Sequence, residues 1–161
     1  MIILGVDPGT IRLGYGLINV VRGNKFQILA SGVIAPAPKK PIFERLGQIL
    51  QKLEEIFLLH KPNIVSLEKS FYGTNAKTAI SLGEARGVVL SLAGKYESDF
   101  QEFSPLSVKQ SITGSGKADK EQVQKMVRMI LNYDKDFKSA DESDALAIAL
   151  CCYYRVASRN N

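Results

Sequence analysis

Five strand patterns interleaved with five helical ones, the first three strands in direct succession, predict an α/β protein. Its core is a mixed five-stranded sheet flanked by helices. Three observations carry this prediction. Short apolar runs recur near residues 2–7, 14–21, 26–35 and 63–68, and Gln101 to Phe103 reads as a further short strand. Longer segments near 42–60, 75–95, 105–112, 119–132 and 140–157 place apolar residues at helical spacing. The order βββαβα followed by strand and helices excludes an all-helical or all-strand domain.

Residues 2–7 read as a buried strand stopped by the turn Pro8-Gly9-Thr10. Residues 14–21 and 26–35 flank Arg22-Gly23-Asn24, which has hairpin chemistry, so the first three strands form an antiparallel meander. A Pro-rich stretch from Ala35 to Pro41 then punctuates the chain. In the first helix Ile42, Leu46, Ile49, Leu50, Leu53 and Phe57 share one face, and Lys61-Pro62 ends it. Residues 63–68 return to strand. Residues 75–95 form the second helix, with Gly83 and Gly87 one turn apart at positions that allow close packing. A short strand at 101–103 precedes the last three helices. With the first strand central, Asp7 and Glu68 end neighbouring strands, where ligand sites form in sheets of this kind. The 161 residues suffice for one domain with a full core, and the whole of 1–161 reads as a single domain.

Four acids stand out against this frame. Asp7 ends the run Ile2-Ile3-Leu4-Gly5-Val6, and Glu68 ends Ile64-Val65-Ser66-Leu67. Asp141 and Asp144 open the apolar segment Ala145 to Leu150, three residues apart on one face of a helix's first turn. There the helix dipole tolerates negative charge. An acid at the edge of a buried segment is costly unless a cation receives it. None of the four has an evident Arg or Lys partner in the sequence, so a shared cation is expected. With no His or Cys cluster, that cation is the hard, oxygen-liganded Mg²⁺. The chemistry implied is metal-assisted attack on phosphate.

Taken singly, each acid has a plain structural reading. Asp7 before Pro-Gly is good turn chemistry, and Asp141 and Asp144 are ordinary first-turn acids. Glu68 is harder to dismiss, because Lys69 beside it should point to the opposite face. The combination raises the functional reading. The net charge of +5 permits a polyanionic partner without requiring one. Residues 109–138 hold seven Lys/Arg and four Asp/Glu, most of them solvated helix faces. Lys117 and Lys120 border a Gly-rich loop suited to approaching a phosphate backbone. Gly114-Ser115-Gly116-Lys117 fails as a nucleotide phosphate loop, since Ser111 replaces the first Gly and Ala118 follows the Lys. Cys151 and Cys152 are neighbours in a helix and point in different directions, so a structural disulfide is not expected. No basic leader and no bilayer-length apolar stretch are present, and a cytoplasmic protein without membrane contact is expected.

Motifs spread along the chain carry a family resemblance. They are Ile3 to Thr10 with Gly14-Tyr15-Gly16, Glu68-Lys69-Ser70-Phe71, and Asn75 to Gly87. Val108-Lys109-Gln110, Gly114 to Lys120, Val123 to Val127, and Ala140 to Ala147 complete the set. In this order they resemble the RuvC-type Holliday junction resolvases over nearly the whole chain. The resemblance implies a ribonuclease H-like fold and a homodimer that nicks two opposed strands of four-way junction DNA. The ends left would be 5′-phosphate and 3′-hydroxyl, in recombination and repair. By position, Asp7, Glu68 and Asp141 match the catalytic metal ligands, and Asp144 the fourth acid. Phe71 matches the aromatic inserted at the junction centre, and Lys109 and Lys120 match basic residues near the scissile phosphate. Tyr72, Asn75, Lys77 and Lys117 join them as candidate DNA contacts. The cofactor implied is Mg²⁺, two ions per site, with Mn²⁺ able to substitute. A branch-migration motor and a thymine-rich cutting context are also inherited from the resemblance. The turn Ile11-Arg12-Leu13 and the short tail after Arg155 depart from the pattern without removing a matched acid.

Two ions about 4 Å apart activate a water and stabilise the departing 3′ oxygen, which is why such a site needs several carboxylates. Asp7, on a rigid strand end, is the expected bridge, and Lys120 offsets charge on the phosphoryl oxygens. The helix at 75–95, with Ala79, Gly83 and Gly87, offers part of a self-complementary dimer face. A kinase of the actin and sugar-kinase type shares the Asp-x-Gly-Thr turn, but no second such motif or second lobe is present. A junction-binding protein with a silent site conflicts with four retained acids.

Overall fold

The computed structural model describes residues 1–21, 25–69 and 76–159. Ten elements follow one another: β1 (Ile2–Asp7), β2 (Leu13–Val21), β3 (Lys25–Ile34), α1 (Ile42–His60), β4 (Ile64–Glu68), α2 (Ala76–Lys95), β5 (Asp99–Phe103), α3 (Pro105–Thr113), α4 (Lys120–Leu131) and α5 (Ala140–Ala157). The five strands form one mixed sheet in the order β3-β2-β1-β4-β5. β1 pairs antiparallel with β2, with Asp7 opposite Gly14, and parallel with β4, with Val6 opposite Leu67. Asp7 and Glu68 therefore end adjacent parallel strands, as the sequence pattern predicts. The turn residues 22–24 of the expected hairpin lie outside the described residues.

Alternation along β1 sorts its side chains between two cores. Leu4 and Val6 pack with Leu17, Val65 and Leu67 against Ile49, Leu53 and Phe57 of α1 and Val89 of α2. Ile3 faces the other way, into a cluster with Ile18, Ile64, Val108, Val127 and Leu146 beneath α3, α4 and α5. Helix α5 is the central helix of that layer, and every residue from Ala145 to Tyr153 is buried. Such a helix carries no polar stripe, which is why its sequence reads as a continuous apolar run.

Two expectations need correction. β5 begins at Asp99, two residues before the expected start at Gln101, because Asp99 and Phe100 are drawn into register with Ile64 and Val65. Pairing overrides the poor strand propensity of Asp. Gly83 and Gly87 do not serve close packing inside the protein, since a Cβ added at either would meet nothing within 4 Å. Their face of α2 is open.

Candidate metal centre

The β1 strand delivers Asp7 to the rim of the sheet on the α5 side, and β4 delivers Glu68 beside it. What brings the helical acids to them is backbone contact. A Cβ at Gly5 would lie 2.1 Å from the carbonyl oxygen of Ala145, and one at Gly14 would lie 2.1 Å from that of Asp141. Only glycine lets α5 lie directly on β1 and β2 at these two positions. The first turn of α5 is fixed further by Ser139, whose Oγ accepts from the Glu142 N–H at 3.3 Å. Glu142 is itself buried, 2% exposed. It accepts from Ser31 Oγ at 2.6 Å and from the Lys138 N–H at 2.8 Å. This acid is a structural clamp between β3 and α5, and it leaves Asp141 and Asp144 to face the other way.

Asp7, Glu68 and Asp144 line one cavity of about 350 Å³, together with Lys109, Lys120 and Val108. Burial is the largest influence on all three carboxyls. It pushes Asp7 up to about 7, with Asp144, Glu68 and Asp141 adding repulsion against the pull of Lys120. Glu68 is raised by burial and then by Asp144, against Lys120 and Lys109. Asp144 is raised by burial, against Lys120 first. Such mutual repulsion at partly buried carboxylates marks a place built for positive charge.

The helical acids do have cationic partners, contrary to the sequence expectation. Arg12 donates from Nε to Asp141 Oδ2 at 2.7 Å, and Lys120 Nζ lies 3.4 Å from Asp144 Oδ2. Asp141 is held at Arg12 outside the cavity lining, although its charge still reaches Asp7. Among the described residues, no three His, Cys, Asp or Glu side chains are drawn together closely enough to enclose an ion. The donor set nonetheless fits a hard divalent cation: all are carboxylate oxygens, and two already hold a side-chain cation. Both partners are exposed side chains, so exchange for a metal costs little.

Of the other candidates, Lys109 and Lys120 flank the acids on α3 and α4. Lys117 is exposed in the loop before α4, and Lys77 is exposed in the first turn of α2. Phe71, Tyr72 and Asn75 lie outside the described residues. Sequence reasoning missed Arg12 as a partner, Glu142 as the clamp, and Gly5 and Gly14 as the seats of α5. The recurrent Gly at 5, 14 and 16 was the available signal for the last.

The family model of crossover junction endodeoxyribonuclease RuvC matches residues 3–152. A crossover junction endodeoxyribonuclease RuvC of Alkaliphilus oremlandii is 44% identical over 151 residues, 94% of this chain and 92% of the relative. That of Chloroherpeton thalassium is 44% identical over 158 residues, 98% of this chain and 84% of the relative. The structure of Thermus thermophilus RuvC in complex with a Holliday junction substrate superposes with a TM-score of 0.91 at 33% identity, covering 98% of this chain and 96% of that one. The fold is thus the ribonuclease H-like fold of these resolvases, and the family implies dependence on a divalent metal. The chain belongs to the RuvC family of crossover junction endodeoxyribonucleases, nucleases that hydrolyse DNA to resolve Holliday junctions.

Proposed function

We propose that Asp7, Glu68, Asp141 and Asp144 hold two Mg²⁺ ions, for which Mn²⁺ can substitute, and that this centre nicks opposed strands of a four-way DNA junction. The observation that carries this reading is the meeting of Asp7, Glu68 and Asp144 in one cavity with Lys109 and Lys120. When bound, the ions supply an activated water and stabilise the departing 3′ oxygen. Asp7 and Glu68, fixed by the paired ends of β1 and β4, set the position of the phosphodiester relative to the sheet. Asp144 and Asp141 complete the set as their side-chain partners withdraw. Lys120, released from Asp144, is then free to meet charge building on the phosphoryl oxygens. Lys109, on the wall of the same cavity, neutralises the backbone beside it.

The chain works as a single domain across residues 1–161, in the cytoplasm and as a homodimer. Its partners are four-way junction DNA and a branch-migration motor. No helix among the described residues is long and apolar enough to cross a membrane. The dimer reading is supported by α2, where Ile80 is 63% exposed and a Cβ added at Gly83 or Gly87 would meet nothing within 4 Å. Two-fold symmetry would set two centres on opposed strands. Lys77, Lys117, Phe71, Tyr72 and Asn75 are the further DNA contacts of this reading, with Phe71 entering the junction centre.

The test is a nicking assay on a synthetic four-way junction and a matched linear duplex. Junction cutting is expected in Mg²⁺ and Mn²⁺, with binding but no cutting in Ca²⁺ or EDTA. Cutting that persists in EDTA, or that treats junction and duplex alike, would overturn the reading.

A further inference from the structure

A second cavity, of about 530 Å³, lies across α3 from the acids. The two cavities occupy two faces of one helix. Pro105, Val108 and Lys109 line the acid side, whereas Ser104, Ser107 and Ser111 line the other. The second cavity is floored by the β5 edge at Gln101 and Phe103 and by Cys151 and Tyr154 of α5. Three cations stand on its wall: Lys69, directly after Glu68, Arg155 in the last turn of α5, and Arg159 just beyond that helix. All three are exposed, and among the described residues none is in an ion pair. The single acid on this wall, Glu102, accepts from Arg86 Nε at 2.7 Å and is already neutralised. The cavity therefore carries three uncompensated positive charges over a hydroxyl-rich floor.

That combination fits a phosphodiester backbone. The serines are largely occupied within α3: Ser104 Oγ accepts from the Ser107 N–H at 3.1 Å, and Ser111 Oγ donates to the Ser107 carbonyl at 2.7 Å. Recognition thus falls to the cations. Arg155 stands in the last turn of α5 and Arg159 in the turn that follows it, and both line this cavity. Arginine forks suit phosphate oxygens, and contacts of this kind fix register without reading sequence. Lys69 links the two cavities, because its N–H is tied to the Phe103 carbonyl at 2.8 Å where β4 and β5 end.

Resting on the DNA-nuclease reading, we infer that the Lys69–Arg155–Arg159 cavity is a second phosphate-binding site. It holds the DNA backbone of a junction arm away from the scissile bond and orients that arm across α3. The site is separate from the acid centre and needs no metal.

The experiment measures junction affinity in EDTA across a salt series for wild type, the Arg155→Ala/Arg159→Ala variant, the Arg155→Lys/Arg159→Lys variant and Lys52→Ala. Lys52 lies on α1 in a pair with Glu55 and serves as a remote control. Loss of two phosphate contacts should make the slope of log affinity against log salt shallower by about 1.8. The lysine variant should restore most of that slope, and Lys52→Ala should match wild type. A double-alanine variant with wild-type melting temperature, affinity and slope would overturn the inference. So would an equal change in Lys52→Ala, which would mean net charge alone is sensed. If wild-type protein neither binds nor cuts junctions, the nuclease reading fails instead, and the two failures are distinguishable.

Discussion

The two pairs of acids at the metal centre are chemically alike and physically opposite. Asp7 and Glu68 sit on the ends of paired strands and, among the described residues, join no ion pair. Asp141 and Asp144 ride on the first turn of a helix and are each matched by a long cationic side chain. The strand pair is rigid and electrostatically unsatisfied, so it destabilises the metal-free fold in return for a fixed binding geometry. The helix pair is partnered by cations on exposed side chains that can leave. One half of the site supplies placement, and the other supplies charge that becomes available on demand.

Replacing a member of each pair is the sharpest way to break this contrast. Asp7→Asn should reduce junction cutting by more than about a hundredfold, exceeding the loss from disturbing a residue that only supports a metal ligand. The same change should stabilise the metal-free protein at pH 8, by on the order of 2–4 kcal/mol in chemical denaturation. Opposite signs for activity and stability at one residue are what an unsatisfied functional acid requires.

Next in size is the seating of the helix pair. Gly14→Ala would place a methyl group 2.1 Å from the Asp141 carbonyl oxygen and force α5 off the sheet. A loss of about 1–3 kcal/mol is expected. Cutting should fall even at temperatures where circular dichroism shows the variant folded. A fully active Gly14→Ala protein would mean that the position of α5 is not decisive.

The pH dependence of stability follows from the strand pair. The folded Asp7 carboxyl titrates near 7 against 3.8 in the unfolded chain, so between those values the folded form binds the extra proton. Its contribution is therefore fully present below pH 4, declines as pH rises toward 7, and is flat above. Melting of the metal-free protein should show this decline, and Asp7→Asn should remove most of it. An unchanged pH profile in the variant would relocate the titration to another group.

The smallest expected effect concerns the helix pair. Arg12→Ala frees Asp141 from an exposed ion pair worth about 0.2–1 kcal/mol, so divalent-ion affinity by calorimetry should tighten by up to about fivefold. Weaker binding would instead make Arg12 a positioning residue for Asp141.

The acids were legible because apolar runs that stop at a carboxylate are visible without a structure, and because Asp141 and Asp144 share a helical face. The meander β3-β2-β1 and the place of β4 beside β1 were legible from three consecutive strands and a fourth after the first helix. The pairing of Arg12 with Asp141 was not, since it joins residues 129 apart through a turn whose path local patterns do not encode. Glu142 was hidden for a related reason. It stands between the two functional acids and differs from them only in pointing toward Ser31 on β3. The glycines of β1 and β2 read as weak strand positions until α5 is seen lying on them.

The most direct test is crystallographic: crystals grown without metal, soaked in Mn²⁺ and examined by anomalous scattering. The account predicts a peak about 2.1 Å from carboxylate oxygens of Asp7 and Glu68. Asp144 should be turned from Lys120 toward it, and Asp141 turned from Arg12. A soaked crystal with no peak in that cavity, or with the ion elsewhere and both side-chain pairs intact, would contradict it.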